Sequence, residues 1–169
     1  TARVTDTADT TTVSLTASTT PEGTGADYVF TATLSNAAQT ATVVHTSQGD
    51  ITIAAGDTTG TLTIASGNSE DVYVDPSSLT ATITSVSGGN FESLVIGTNA
   101  SATASVTDTI DTTTVNLSAS SAAEGTGVSY VFTATLSSAS QGVTTVHTDQ
   151  GDITIGNGQT TGTLTIASG

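Results

Sequence analysis

The sequence predicts an all-β protein built from tandem sandwich domains, and three observations lead to this prediction. Apolar and hydroxyl-bearing residues alternate with a period of two over several segments, and no segment shows the 3.6-residue period of a helix. The segment Tyr28-Val-Phe-Thr-Ala-Thr-Leu34 returns unchanged as Tyr130–Leu136, at an offset of 130 − 28 = 102 residues. At this offset, 49 of the 67 positions in 1–67 recur in 103–169. A period of this length corresponds to one small domain rather than to a solenoid coil.

Each predicted strand in the complete repeat is identified by its alternation or by the turns that bound it. In 28–34, Tyr, Phe, Ala and Leu share one parity while Val and Thr share the other, and 79–86 and 100–107 alternate in the same way. Glycine-containing turns such as 22–25, 47–50 and 88–90 separate the remaining segments. The seven predicted strands are, in order, about 12–18, 28–34, 41–46, 51–53, 60–65, 79–86 and 100–107. About seven short antiparallel strands without cysteine predict an immunoglobulin-like β-sandwich that lacks the disulfide.

The repeat also predicts the domain organisation. Residues 1–8 are predicted to be the end of a preceding repeat with its linker, 9–108 a complete repeat, and 109–169 an incomplete second repeat. The join between repeats has only a few residues and no Gly/Ser-rich linker, so we expect a rod-like array in which neighbouring repeats of the same chain are the partners.

Composition excludes several classes of function. The chain has 15 acidic residues against one basic residue, Arg3, and a net charge of −14, so nucleic acid is excluded as a partner and anionic lipid is repelled. No apolar run approaches the roughly 20 residues of a membrane span, so we expect no membrane insertion. The absence of Cys and Lys, and of any Gly-x-Ser-x-Gly motif, leaves no catalytic residue to nominate. We therefore predict that the protein is not an enzyme.

Acidic residues are the best candidates for chemistry. Asp108 and Asp111 lie three apart in the predicted join, and Asp6 and Asp9 occupy the corresponding positions one repeat earlier. Calcium takes six to eight hard oxygen ligands in irregular geometry and suits such a site better than magnesium does. The candidate calcium ligands are Asp6, Asp9, Glu22, Glu70, Asp71, Asp75, Asp108, Asp111 and Glu124. The alternative is that these acids cap turns and keep the surface soluble.

Histidine and threonine are predicted to have structural roles. His45 and His147 occupy equivalent positions in the third strand and are interpreted as surface residues without a metal or catalytic partner. Thr-x-Thr pairs such as Thr31/Thr33 and Thr82/Thr84 have the spacing of an ice-binding face. Alternation by itself places threonine on the outward face of a strand, so ice binding is not needed to explain them.

Several segments, in the right order, resemble the tandem bacterial immunoglobulin-like extender repeats of large RTX adhesins. The segments are 22–34 (Glu-Gly-Thr-Gly to Thr-Ala-Thr-Leu), Gly49–Gly56, Glu70–Asp75, Gly88–Glu92 and Val106–Val115. The resemblance implies a cell-surface stalk on a Gram-negative, biofilm-forming bacterium, exported by type I secretion. It also implies calcium at the joins between repeats, which stiffens the stalk, and other domains that bind the adhesion target.

A carbohydrate-binding or glycosylated surface module is the alternative function. Sugar binding uses an exposed aromatic platform, whereas this chain has three Tyr and three Phe, mostly in inward-facing registers. A glycan array probed with the intact repeat would discriminate the two hypotheses.

Overall fold

Strands alone make up the regular structure of the chain, as a computed structural model of residues 2–168 shows. Thr1 and Gly169, at the outer bounds of the predicted segments 1–8 and 109–169, lie outside the described residues. The chain divides into a first unit, Thr1–Glu70 with Val74–Thr109, and a second unit, Asp71–Tyr73 with Ile110–Gly169. Within residues 2–168 there is no helix of the length and hydropathy that a membrane span requires.

The first unit contains nine strands among its described residues. They are β1 (Thr10–Ala17), β2 (Thr19–Pro21), β3 (Asp27–Leu34), β4 (Thr42–Thr46), β5 (Gly49–Ile53), β6 (Thr59–Ala65), β7 (Ser77–Gly88), β8 (Ser93–Ile96) and β9 (Ser101–Thr107). They form a four-stranded sheet in the order β6-β3-β1-β8 and a five-stranded sheet in the order β2-β9-β7-β4-β5. The all-β sandwich predicted from the sequence is confirmed.

A single hydrophobic core lies between the two sheets of the first unit. Phe30 and Val13 come from the four-stranded sheet, and Val44, Ile51 and Val106 come from the five-stranded sheet. All five are fully or almost fully buried. In β3 every second residue is buried, from Tyr28 to Leu34, as the alternation in the sequence predicts.

Two short strands, β2 and β8, were not among the seven predicted. Each lies at the edge of its sheet and pairs in parallel, β2 with β9 and β8 with β1. β2 has three residues and ends in Pro21, and β8 shows no clear alternation of burial, so neither has the local pattern of a strand. Their partners are distant in sequence, and for that reason only the tertiary structure reveals them.

The second unit repeats the strand pattern of the first at the 102-residue offset. Its strands are β10 (Val115–Ala119), β11 (Ser129–Leu136), β12 (Thr144–Thr148), β13 (Gly151–Ile155) and β14 (Thr161–Ala167). They form a three-stranded sheet, β10-β11-β14, and a two-stranded sheet, β12-β13. The registers match those of the first unit: Val115 is opposite Leu136, as Val13 is opposite Leu34.

Candidate metal centre

Three acidic residues meet at one end of the first unit because of the strand pairing. Glu22 directly follows β2 and Asp108 directly follows β9, and these two strands run in parallel with Pro21 opposite Thr107. Asp75 lies just before β7, which runs antiparallel to β9 with Ser77 opposite Val106. Two strand ends and one strand start therefore bring the three carboxylates to the same edge.

The three carboxylates are close enough to share one cation. Glu22, Asp75 and Asp108 each offer an oxygen atom, and the three atoms lie within 4.8 Å of one another. The Asp75 backbone N–H donates a hydrogen bond to Asp108 Oδ1 at 3.2 Å, which holds these two residues together. This is the one group of three or more potential metal-binding side chains with such spacing in residues 2–168.

Glu22 is the buried member of the cluster. The residue is 5 % exposed, whereas Asp108 is half-buried and Asp75 is exposed. Glu22 Oε1 accepts hydrogen bonds from the backbone N–H and the hydroxyl of Thr109, both at 2.9 Å. Glu22 Oε2 is buried and has no hydrogen-bond partner. A buried carboxylate oxygen without a partner is costly, so this atom points to a ligand that the side chain is built to receive.

The pKa of the Glu22 carboxyl is lowered from its ordinary value of 4.5. The main cause is the hydrogen bond from the Thr109 backbone N–H, which stabilises the charged form, and the Thr109 hydroxyl adds to it. Burial acts in the opposite direction and is outweighed. Glu22 is therefore a carboxylate at neutral pH, as a cation ligand must be.

Two neighbouring residues support the cluster, and the sequence patterns did not indicate either. The Thr109 hydroxyl lies 2.9 Å from Glu22 Oε1 and 2.6 Å from Glu70 Oε1, and its single proton serves one carboxylate at a time. Asn68 Nδ2 donates to the backbone carbonyl of Asp75 at 2.9 Å, which ties the beginning of the loop between β6 and β7 to its end. Thr109 carries no local signal, because Glu22 is 87 residues away in the sequence.

The cluster brings three acidic side chains close together. The salt bridges found in residues 2–168 both involve histidine, and neither includes a member of the cluster. Three carboxylates at this spacing repel one another, and a divalent cation between them would replace that repulsion by attraction. Carboxylate oxygens are hard donors of the kind that Ca²⁺ accepts, so the type of donor atom is compatible with calcium.

The structure brings together three of the nine predicted ligands, Glu22, Asp75 and Asp108. Glu70 shares the Thr109 hydroxyl with Glu22 as a hydrogen-bond donor. Asp9 lies at the opposite end of the first unit, where its backbone N–H donates to Glu92 Oε2 at 2.6 Å, and Asp6 is exposed in the segment before β1. The other three belong to the second unit. There, Asp71 Oδ1 accepts a hydrogen bond from the Tyr73 backbone N–H at 2.7 Å, and Asp111 and Glu124 are exposed.

The two histidines have a partner that the sequence analysis did not foresee. Nδ1 of His45 lies 2.7 Å from Asp50 Oδ1, and Nδ1 of His147 lies 2.7 Å from Asp152 Oδ1, with the side chains partly or largely exposed. Each pair spans two adjacent strands of a hairpin, in identical registers.

Comparison with known proteins gives one family match. The model of the LapA domain family matches residues 9–109 and again residues 111–169. No curated protein matches the chain. Among solved structures, a two-domain protein of unknown function from Bacteroides fragilis NCTC 9343 is 9 % identical, with 94 % of this chain and 84 % of that chain covered and a TM-score of 0.38. A likeness at that TM-score carries no argument about fold or function.

Proposed function

The chain belongs to the LapA domain family, and from this premise we propose that it is a structural extender segment of a large cell-surface adhesin. The family match supports an adhesin context and a non-catalytic role, and it spans both repeats. Near-identical domains joined by a few residues are suited to a stalk, because each added repeat adds length without adding a new binding surface. In this proposal the stalk lies outside a Gram-negative cell, and other domains bind the adhesion target.

We further propose that Glu22, Asp75 and Asp108 bind calcium. The observation that carries this proposal is the cluster itself: oxygen atoms of the three carboxylates lie within 4.8 Å of one another, and one of them belongs to the buried Glu22, which is held in its charged form. The bound ion would tie together the end of β2, the loop before β7 and the end of β9, three segments that are distant in sequence. Extracellular calcium modules bind with Kd of about 10⁻⁴–10⁻³ M, and we expect the same range here.

A thermal melt of the 169-residue chain tests this assignment. Calcium at about ten times its Kd should stabilise the first unit by about 1.4 kcal/mol, which raises its Tm by several degrees over the value in EDTA. Glu22→Gln removes the buried charge and should abolish the calcium-dependent rise. Glu124→Gln is the matched control: Glu124 is the counterpart of Glu22 in the second repeat, is exposed, and has no such cluster in the described chain, so the rise should persist.

Two results would contradict the calcium proposal. The first is a wild-type Tm that does not respond to calcium. The second is a rise of equal size in Glu22→Gln, which would mean that calcium acts elsewhere. Magnesium at the same concentration should give a smaller rise, because Mg²⁺ demands a near-ideal octahedron and gives up its water reluctantly.

Stiffening of the stalk is a separate expectation and has its own measurement. Asp108 and Asp111 stand on either side of the junction between the two family matches, so a cation near Asp108 acts on the join between repeats. Small-angle scattering on a polypeptide of four tandem repeats should give a longer maximum dimension in calcium than in EDTA. Alanine at both aspartates in every join should remove the difference while each domain stays folded, and equal dimensions in the two buffers would oppose calcium stiffening.

A further inference from the structure

The chain has two histidines, and each forms the same pair with an aspartate on the neighbouring strand. His45 on β4 is directly opposite Asp50 on β5, and His147 on β12 is directly opposite Asp152 on β13. In both pairs the distance from histidine Nδ1 to aspartate Oδ1 is 2.7 Å. In the first unit 40 % of the His45 side chain and 59 % of the Asp50 side chain are exposed, so solvent reaches both.

The hydrogen bond in each pair determines which ring nitrogen can bind a metal ion. An ionised carboxylate only accepts hydrogen bonds, so the proton of this contact is on Nδ1. In the neutral ring the lone pair is then on Nε2, at the far side of the imidazole. Histidines that bind metal ions in proteins commonly have this arrangement, in which a carboxylate orients the ring and makes the free nitrogen a better ligand.

The strands hold the His45 ring in a fixed place on the sheet. The backbone of β4 pairs with β5 on one side and with β7 on the other. The His45 carbonyl accepts a hydrogen bond from the Thr84 hydroxyl at 3.1 Å. In the turn beside the pair, the Thr46 hydroxyl donates to the Gly49 carbonyl at 2.6 Å. A ligand held on a rigid strand loses little conformational freedom when it binds, which favours binding.

Each pair supplies only part of a metal site. Imidazole nitrogen suits ions such as Zn²⁺, which is usually four-coordinate in proteins, whereas calcium and magnesium prefer oxygen. Neither histidine belongs to a group of three or more metal-binding side chains within residues 2–168. Other ligands of the ion must therefore come from water or from another molecule. A second copy of the chain carries the same exposed imidazole and supplies a matching ligand.

We propose that His45 and His147 are Nε2 ligands for Zn²⁺ and that the ion is shared between two copies of this chain. The Nε2 lone pair forms the bond to zinc, and the Nδ1 proton stays on the ring in its hydrogen bond to aspartate. Asp50 and Asp152 are positioning residues that orient the rings. The positive ion also offsets the repulsion between two chains that each have a net charge of −14.

Sedimentation of the 169-residue chain at increasing Zn²⁺ concentration tests the proposal. The buffer contains calcium, and about 0.15 M salt screens the repulsion between acidic chains. We expect the sedimentation coefficient to rise with zinc and to return to its starting value in EDTA. Extra calcium or magnesium in place of zinc should give no rise. A sedimentation coefficient that does not respond to zinc would overturn the proposal.

Matched variants locate the zinc site. His45→Gln combined with His147→Gln should abolish the zinc-dependent association, and an equal response in this variant would assign zinc to carboxylates and overturn the proposal. Asp50→Asn combined with Asp152→Asn should raise the zinc concentration at the midpoint by about 10–100-fold, the usual effect of losing such a partner. The control pair, Asp57→Asn with Asp111→Asn, removes the same charge from exposed positions outside the histidine pairs and should leave the midpoint unchanged.

Glu22→Gln should also leave the midpoint unchanged, so the result is independent of the calcium proposal. Nitrogen-15 NMR of the histidine rings gives a direct readout in the wild type, which requires no variant to fold. Before zinc is added, the proton should be on Nδ1 of both rings, and zinc should shift the Nε2 resonances most. A ring proton on Nε2, or zinc bound at Nδ1, would contradict the proposal.

Discussion

Glu22 is the residue on which the candidate metal centre depends. Its side chain combines burial, a hydrogen-bonded Oε1 and an unpartnered Oε2, whereas Asp75 and Asp108 are more exposed and interact with each other through the Asp75 backbone N–H. Glu124 is followed by the same Gly-Thr-Gly as Glu22 but is preceded by Ser-Ala-Ala instead of Thr-Thr-Pro, and it is exposed. The role of Glu22 depends on residues that are distant in sequence, namely Asp75, Asp108 and Thr109.

Glu22 should also make the stability of the first unit depend on pH. Because its folded-state pKa is lowered from 4.5, its contribution is fully present above that value. The contribution is lost as the pH falls through 4.5 and on through the lowered folded-state pKa. In EDTA, the difference in free energy of unfolding between the wild type and Glu22→Gln should therefore shrink as the pH is lowered. Denaturant titrations from pH 7 to about pH 3 measure it.

Glu124→Gln serves as the control for the pH series. Glu124 is exposed and lies in the other unit, so the difference between this variant and the wild type should stay near zero at every pH. A Glu22→Gln difference that stays constant from neutral to acid pH would contradict the assigned role of the Thr109 hydrogen bonds.

At the scale of elements, threonine on the outward faces stabilises the pairing of strands. On β7 and β9 the Thr80 and Thr103 hydroxyls lie 2.8 Å apart, and Thr82 and Ser101 form a second such pair at 3.0 Å. Both pairs are directly opposite in the register of the two strands. These four hydroxyls are therefore paired across neighbouring strands, and their positions need no ligand to explain them.

A double-mutant cycle on Thr80 and Thr103 measures this contribution. Alanine at each position and at both should reveal a coupling energy of about 0.2–1 kcal/mol, the range of cross-strand pairs. Thr31 and Thr61 are the matched control, since they are directly opposite on β3 and β6 but share no hydroxyl hydrogen bond in the described structure. Equal coupling in the two pairs would assign the effect to strand packing and not to the hydroxyl contact.

At the scale of the whole molecule, two nearly identical repeats differ in how much core they enclose. The buried cluster of the first unit draws on both of its sheets, whereas the buried residues of the second unit are Ala134, Ile153 and Ile155. Phe132 packs against this small cluster and is only partly buried, whereas its counterpart Phe30 is fully buried. Apolar burial is the main favourable term in folding, and within residues 2–168 the smaller buried cluster gives the strands of the second unit less of this stabilisation.

Amide hydrogen exchange tests this difference within one molecule. The segments 28–34 and 130–136 have the same sequence, so their intrinsic exchange rates match and any difference reports tertiary structure. We expect exchange in β11 to be faster than in β3 by a factor of ten or more. A tenfold difference corresponds to about 1.4 kcal/mol in the free energy of local opening. Mass spectrometry distinguishes the two segments by their flanking residues, Asp27 and Ser129. Equal protection would contradict the link between exchange rate and the different burial of Phe30 and Phe132 within residues 2–168.

The sequence by itself determines the secondary structure of this protein and its repeat. Alternation over 28–34, 79–86 and 100–107 shows which side of each strand faces the core. Together with the turns between segments it predicts seven strands, and all seven are present in the first unit. Sequence identity at the 102-residue offset predicts that β10, β11 and β14 pair as β1, β3 and β6 do, and the registers of these strands in the second unit agree. These properties are local or are read by aligning the chain with itself, so no knowledge of distant contacts is needed.

Only the tertiary structure decides which acids meet and which apolar residues are covered. Glu22 accepts a hydrogen bond from Thr109, which is 87 residues away in the sequence. The two residues meet because β2 and β9, which are distant in sequence, pair in parallel at the edge of a sheet. Leu15 is 2 % exposed because it packs in one core with side chains from distant strands, among them Ile83 and Val106. Strand alternation is set within a few residues, whereas burial and ligand geometry depend on pairings between distant segments.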